Sequence, residues 1–308
     1  MQTFRPTAIV AVPRVFEKLY NGAEQAAGGG LTLKVFRWSA KVAIEYSRGL
    51  DTSRGPSWLL RAQRAAAARV VYARIHRSLG GDLKYAFSAG APLGERLGHF
   101  YRGIGLTIME GYGLTETTAP TTCNPIDANR IGTVGPVTAG TAARIADDGE
   151  IQVKGPHLFR GYHNDPELTR QAFVDGWFRT GDIGAFDQDG YLRITGRIKE
   201  LIVTASGKNV SPAMLEDRLR GHPLVSQCVL VGDHKPFIGA LITIDADMLP
   251  RWLINHGRPA MSVDEARTDH FVLAALQRSI GRTSRSRESS PSASSPCSPL
   301  TSRCATAT

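Results

Sequence analysis

The chain is 308 residues long, with 42% hydrophobic and 21% charged positions and a formal charge of +9, enough apolar content for one large buried core or two ordinary ones. No apolar run approaches the roughly 18 residues needed to span a bilayer, and Met1–Pro6 lacks the basic-then-apolar pattern of a secretory signal, so a cytosolic location is expected. Cys123, Cys228, Cys297 and Cys304 are scattered, without a CxxC pair or a Cys/His cluster at metal-ligand spacing, and read as free thiols.

In chain order, Phe4–Thr7 leads into a short apolar run, Ala8–Val12, and Pro13 suits the first turn of a helix presenting Val15, Phe16, Leu19 and Tyr20. Lys34–Lys84 then holds eleven Lys or Arg against Glu45, Asp51 and Asp82. Within it a helix is expected, with Trp58, Leu59, Ala62, Ala66, Val70, Ala73 and Ile75 as its apolar stripe and Arg61, Arg64, Arg69, Arg74 and Arg77 largely off it. The basic block reads as a solvated helix face, and a surface for an anionic membrane or acidic ligand stays open as the other reading. Nucleic-acid binding is not expected.

Leu83–Ser88 reads as a buried strand, Gly90–Gly94 as a turn, 95–102 as a helix, and Leu106–Met109 as a second strand running into Gly111-Tyr112-Gly113-Leu114-Thr115-Glu116-Thr117-Thr118. This is an α/β pattern whose loops leave the strand ends, where open sheets place ligands. From residue 131 the pattern turns β-rich. Ala143–Ile145 and Glu150–Val153 flank Asp147-Asp148-Gly149, and Ala185-Phe186 and Tyr191–Ile194 flank Asp187–Gly190, so two hairpins are predicted. A third turns at Ala205-Ser206-Gly207-Lys208. Ser211 and Pro212 make an N-cap and first position for a helix ending near Gly221, and strands are expected at 225–231 and 238–244. The chain therefore divides into 1–196, a small α+β unit over 197–280, and a Ser/Arg/Pro-rich segment, 281–308, expected to be disordered.

Residue types in the Gly111–Thr118 stretch suit a nucleotide. Glycines permit positive φ and close backbone approach, hydroxyls and amides suit phosphate, a lone carboxylate suits Mg²⁺, and a tyrosine ring stacks on a base. An ordinary Gly-rich loop with a capping Thr-Glu fits the same letters, and neither GxxxxGK[ST] nor a strand-borne GxGxxG is present. Asp182 follows a Thr-Gly turn in Gly176-Trp177-Phe178-Arg179-Thr180-Gly181-Asp182 and reads either as a ribose acceptor or as a turn cap. Arg197, at the boundary between the units, reads either as a ligand group or as a surface strand residue.

GYGLTETT, GWFRTGD and YLRITGRIKELIVTASGKNVSP together, in this order, resemble the adenylate-forming superfamily, and with RPTAIVAVPRVFEKLYNGAEQ most closely its long-chain fatty-acid–CoA ligases; the resemblance covers residues 2 to 278. It implies the C-terminal part of the large α/β adenylate-forming domain joined to a small α+β lid, using ATP, Mg²⁺ and coenzyme A on a long-chain fatty acid, in the cytoplasm or at a membrane surface. It further implies that Tyr112 packs on adenine between Gly111 and Gly113, with Gly90, Ala91 and Pro92 lining the pocket. Thr115 would touch phosphates, Glu116 would ligate Mg²⁺, Asp182 would hold the ribose hydroxyls and Arg197 would support ribose and phosphate. Lys199 would mark the swing point of the lid, and Ser206, Gly207 and Lys208 its approach to coenzyme A.

Two family parts have no counterpart in these residues. There is no Ser/Thr/Gly-rich loop ending in Pro-Lys, and Lys235 is the last lysine, so none stands near the C-terminus. The expectation is a fragment impaired or inactive by itself, with strands 83–88 and 106–109 short of sheet neighbours and a tail of shifted-frame composition. A non-catalytic remnant that binds AMP, acyl-adenylate or a homologue is the alternative.

Overall fold

The computed structural model describes residues 3–118, 120–288 and 304–306, with side chains through residue 281. The chain divides into two units, Met1–Glu24 with Gly30–Ile198, and Gln25–Gly29 with Lys199–Thr308. Among the described residues no helix is long and apolar enough to cross a membrane.

The larger unit opens with strand β1 (Ala8–Ala11) and helices α1 (Pro13–Ala26), α2 (Gly30–Leu50), α3 (Trp58–Ala67) and α4 (Ala73–Ser78). It continues through β2 (Tyr85–Ser88), α5 (Glu95–Ile104), β3 (Thr107–Tyr112) and β4 (Thr122–Cys123). β1, β2 and β3 are parallel and β4 closes antiparallel on β3, in the order β1-β2-β3-β4. The predicted strands are therefore not short of neighbours, because the Ala8–Val12 run supplies the strand beside β2. The open edge passes to β1, where Val10 is 81% exposed. Phe16, Tyr20, Phe36, Phe100 and Tyr101 build the helical side of the core through edge-on ring contacts, with centroids 4.8 to 5.7 Å apart.

The helix predicted across 58–75 forms but turns the other way. Trp58, Leu59, Ala62, Ala66, Val70 and Ala73 face solvent, while Ala67, Tyr72, Ile75 and Leu79 are buried. Of the predicted stripe only Ile75 is buried; a π-helical turn over Ala68–Tyr72 between α3 and α4 admits one extra residue, so that Ala67 and Tyr72, five apart, share the buried side. Arg64 goes inward with them, its Nε donating to Gly103 O at 2.7 Å and its guanidinium lying over the Tyr46 ring.

The second sheet of this unit holds β5 (Ala142–Ile145), β6 (Glu150–Lys154), β7 (Phe173–Val174), β8 (Trp177–Phe186) and β9 (Leu192–Arg197), with helix α6 (Pro166–Gln171) before β7. All neighbours are antiparallel. β6 lies along one edge of the long β8, and β7 and β9 share its other edge. Ile151, Val153 and Leu192 are fully buried beneath it, packed against Tyr112 and Val134.

The smaller unit comprises β10 (Ile202–Val203), β11 (Asn209–Val210), α7 (Pro212–Arg220), β12 (Val225–Val231), β13 (Gly239–Ile244), α8 (Leu249–Asn255), α9 (Val263–Ala266) and α10 (His270–Glu288). A further short strand, β14 (Cys304–Thr306), pairs parallel with β13. Leu215, Leu219, Leu224, Ile242, Trp252, Leu253, Val272 and Leu276 form its core. Two expectations are corrected here. Ser211 stands at the N-cap of α7 with Pro212 at the first position, but its buried hydroxyl makes no capping bond. The segment expected to be disordered from 281 is helical through Glu288, since Ser, Arg and Glu cost a helix already under way little and the first proline is Pro291; of the remainder, 289–303 and 307–308 lie outside the described residues. Cys123 and Cys228 are free thiols.

Candidate functional site

Three of the residues singled out in the larger unit, Tyr112, Asp182 and Arg197, come together where the last residues of β3 and β9 meet the middle of β8. Tyr112 is the last residue of β3, fixed there by the pairing of Gly111 with Cys123 and of Tyr112 with Thr122. A Cβ on Gly111 would stand 2.6 Å from Phe87 Cζ and 3.0 Å from the Thr122 carbonyl. The glycine is thus required by packing of the chain on itself, and neither Gly111 nor Gly113 takes the positive φ that their residue type allows.

Asp182 is not a turn residue but lies inside β8, in register with Arg197 on β9. What reads as a Thr-Gly turn in the sequence is a strand with irregular register, with Gly181 at φ +71° and shifts on both partner strands. Such a bulge re-aims a side chain. It is held by the buried Glu150, whose Oε1 accepts from Gly181 N at 2.9 Å and whose Oε2 accepts from Arg179 Nε at 2.8 Å. Thr180 completes it, donating through Oγ1 to Ile151 O at 2.7 Å and accepting from Asp182 N at 3.1 Å.

The aimed carboxylate is buried and doubly engaged: Asp182 Oδ2 accepts from Tyr112 OH at 2.7 Å, and Oδ1 accepts from Arg197 Nε at 2.9 Å. Burial first, and then the Asp182 charge, push the Tyr112 phenol far above its ordinary range. Tyr112 therefore remains a donor at any physiological pH. A carboxylate has about four acceptor positions. Tyr112 and Arg197 occupy two, which leaves two for the hydroxyls of a diol.

A second group surrounds Glu116. Thr115–Thr117 forms a single 3₁₀ turn closed by Thr117, whose Oγ1 accepts from Leu114 N at 2.8 Å, so the capping hydroxyl is that of Thr117 and not Thr115. Thr115 is exposed and Glu116 half-buried. Tyr162 OH donates to Glu116 Oε1 at 3.1 Å, and Phe159 N donates to the Glu116 carbonyl at 2.8 Å. Glu116 Oε2 has no hydrogen-bond or ion-pair partner among the described residues. A hard carboxylate oxygen left open beside exposed hydroxyls fits Mg²⁺, which takes few protein ligands and keeps other oxygens.

Gly90, Ala91 and Pro92 are exposed at the end of β2, with Gly90 at φ +86°. Leu93 N donates to Glu110 Oε1 at 2.9 Å, so a buried carboxylate of β3 pins this turn beside the strand that ends in Tyr112. In the smaller unit, Lys199 lies in a 3₁₀ turn, Ile198–Glu200, and Ser206, Gly207 and Lys208 form the β10–β11 turn. There Thr204 takes Gly207 N on its carbonyl at 2.8 Å and Lys208 N on its hydroxyl at 3.2 Å.

Sequence reasoning did not find Glu150, Glu110 and Tyr162. Glu150 falls in the polar phase of the alternating Glu-Ile-Gln-Val-Lys strand, so nothing in the sequence marks it as buried. For Glu110 and Tyr162 the partner lies 17 and 46 residues away, and no local spacing marks the pairs.

Residues 1–163 match the family model described as AMP-binding enzyme, and residues 199–260 match the AMP-binding enzyme C-terminal domain. The chain is 51% identical over 281 residues to a long-chain-fatty-acid–CoA ligase, FadD15, of Mycobacterium bovis, covering 91% of this chain and 47% of the relative. It is 50% identical to the Mycobacterium tuberculosis protein of that name over the same shares. The chain thus spans about half the length of the curated relatives it matches. Among solved structures, the adenylation domain of a carboxylate reductase from Mycobacterium chelonae superposes with a TM-score of 0.62 at 22% identity, covering 93% of this chain and 40% of that one, a likeness of fold. With both family models matched in chain order on the two units, this chain belongs to the AMP-binding enzyme family and is similar, within it, to the long-chain fatty-acid–CoA ligases.

Proposed function

We propose that the chain carries the nucleotide-facing part of an ATP-dependent long-chain fatty-acid–CoA ligase. In this reaction a fatty carboxylate oxygen attacks the α-phosphorus of ATP and pyrophosphate leaves. The coenzyme A sulfur then attacks the acyl carbon and AMP leaves. The observation that carries the reading is the buried Asp182, aimed by the β8 bulge and held by Tyr112 and Arg197 with two acceptor positions to spare.

In this reading both ribose hydroxyls donate to Asp182, while Arg197 pairs with that carboxylate and faces the phosphate side. The Tyr112 ring, locked by its own hydroxyl bond, lies against adenine, with Gly90, Ala91 and Pro92 on the other side of the base. Thr115 donates to phosphate oxygens. Glu116 would hold Mg²⁺, which supplies neutralisation of phosphate charge when bound. No side-chain nucleophile is needed, because adenylyl transfer rests on positioning and charge stabilisation. Lys199 is assigned to the pivot between the half-reactions, and Ser206, Gly207 and Lys208 to the approach of coenzyme A.

Residues 1–308 hold no phosphate loop ending in Pro-Lys and no lysine after Lys235. Each such stabiliser is worth about 10²-fold or more, so ATP–pyrophosphate exchange with a long-chain fatty acid is expected near background for this chain alone. Robust exchange would refute that expectation. Calorimetric AMP binding that disappears in Asp182→Ala supports the site, and AMP binding unchanged by that substitution removes it. A second reading, a chain that binds AMP or acyl-adenylate without turning over, rests on the same Asp182 pocket; measurable AMP affinity with no exchange is its signature.

A further inference from the structure

The helical segment from Trp58 to Ser78 leaves an outer face that the nucleotide chemistry does not use. Between residues 52 and 81 there are six arginines and no Asp or Glu. Arg64 is committed inward and Arg61 Nε donates to Pro56 O at 3.0 Å, but Arg54, Arg61, Arg69, Arg74 and Arg77 are exposed, and none of these five has an ion-pair partner among the described residues. On the same outer side stand Trp58 at 80% exposure, Leu59 at 52% and Val70 at 55%. These large apolar groups would ordinarily be inside. The buried side of the same helices is taken by Ala67, Tyr72 and Ile75. From Trp58 to Arg77 the face runs about 29 Å at the usual helical rise.

A helix face that combines unpaired arginines with an exposed tryptophan and leucine has the composition of an interfacial helix. Its apolar groups enter the boundary between headgroups and acyl chains, and its arginines meet lipid phosphates. We propose that the outer face of α3 and α4 is a docking surface for an anionic phospholipid bilayer, with Trp58, Leu59 and Val70 inserting and Arg61, Arg69, Arg74 and Arg77 contacting headgroup phosphates. Charge decides the occupant. A neutral apolar partner leaves five arginines uncompensated, whereas an anionic lipid surface satisfies them along the whole length. A second copy of this chain would bring the same positive charge against it.

The experiment is co-sedimentation of the full chain with vesicles of phosphatidylcholine alone and of phosphatidylcholine with phosphatidylglycerol, at low salt and at 0.5 M salt. Binding is expected to the anionic vesicles only and to weaken at high salt. Arg69→Glu/Arg74→Glu should lower the partition coefficient by roughly 100-fold, and Trp58→Ser by about tenfold. Unchanged melting temperatures would show that the exposed substitutions leave the fold intact. Equal binding to neutral vesicles, equal binding by the variants, or no binding by the unmodified chain overturns the proposal. So does a dimer in sedimentation equilibrium that Trp58→Ser abolishes, which assigns the face to a second copy. Binding of a short DNA duplex without vesicle binding overturns it as well. None of these readouts involves ATP, so the result is independent of the nucleotide site.

Discussion

Asp182 and Glu116 are carboxylates of the same unit, assigned to the same nucleotide, and they are held in opposite ways. Asp182 is buried in a strand, accepts from two side chains and has its backbone fixed by a third. Glu116 is half-buried in a 3₁₀ turn, with one oxygen tied to Tyr162 and the other open. The difference follows from desolvation. A buried carboxylate is tolerated only when paired, so the end proposed to hold ribose is built before ligand arrives. A carboxylate that is to bind an ion has to keep an oxygen free, and at the end proposed to hold phosphate Glu116 keeps one. Pre-organisation at one end and availability at the other are both visible in the hydrogen bonds the two residues make.

The largest test of this contrast is Asp182→Ala. It takes from the half-buried Tyr112 hydroxyl its carboxylate acceptor and leaves Thr180 beside it, at a cost of about 1–3 kcal/mol, while the half-exposed Arg197 loses little. A melting temperature about 5 °C lower is expected, together with AMP binding roughly 100-fold weaker through loss of a charged acceptor for two hydroxyls. A variant that melts like the unmodified chain would show that the ribose end is not pre-built. Glu150→Gln comes next. It turns an amide toward either Gly181 N or Arg179 Nε, donor against donor, and should weaken AMP binding about fivefold by loosening the bulge that aims Asp182. If it lowers the melting temperature but leaves AMP affinity intact, the bulge does not position Asp182. Tyr112→Phe keeps the ring and removes one donor, for about 1 kcal/mol in stability. Isothermal titration with AMP and thermal melts read all three variants.

How much of this was legible beforehand depended on the range of the interaction. β2, β3, α5, the three hairpins and the β12–β13 pair follow from local apolar pattern and turn residues, and each forms within a few residues of its predicted place. Ala8–Ala11 was visible only as an apolar run, because four residues carry no period; pairing with β2 makes it a strand. The buried face of the 58–78 segment does not show in its sequence, because alanines mark neither side and the π turn shifts the phase partway along. Residues of the site could be named from motif types, but the reason Asp182 points where it does lies in Glu150, 32 positions earlier in the chain and brought beside it only by the β6–β8 pairing.

The smallest predicted effect is also the most discriminating. Tyr162→Phe removes the hydroxyl that donates to Glu116 Oε1. Burial, and then the Glu116 hydrogen bond, raise the Tyr162 phenol above its ordinary value, so it donates throughout the working range and its loss is not mimicked by pH. The bond joins a neutral donor to a half-exposed carboxylate and is worth about 0.5–1 kcal/mol, so the carboxylate should lose orientation without losing its place in the turn, which Phe159 N still fixes through the backbone. The expected result is a two- to fivefold weaker affinity for ATP in the presence of Mg²⁺, with AMP affinity in its absence unchanged, measured by titration calorimetry on the same preparation. Equal weakening for both nucleotides would mean that Tyr162 acts on the whole pocket, and the division between a closed ribose end and an open phosphate end would fail.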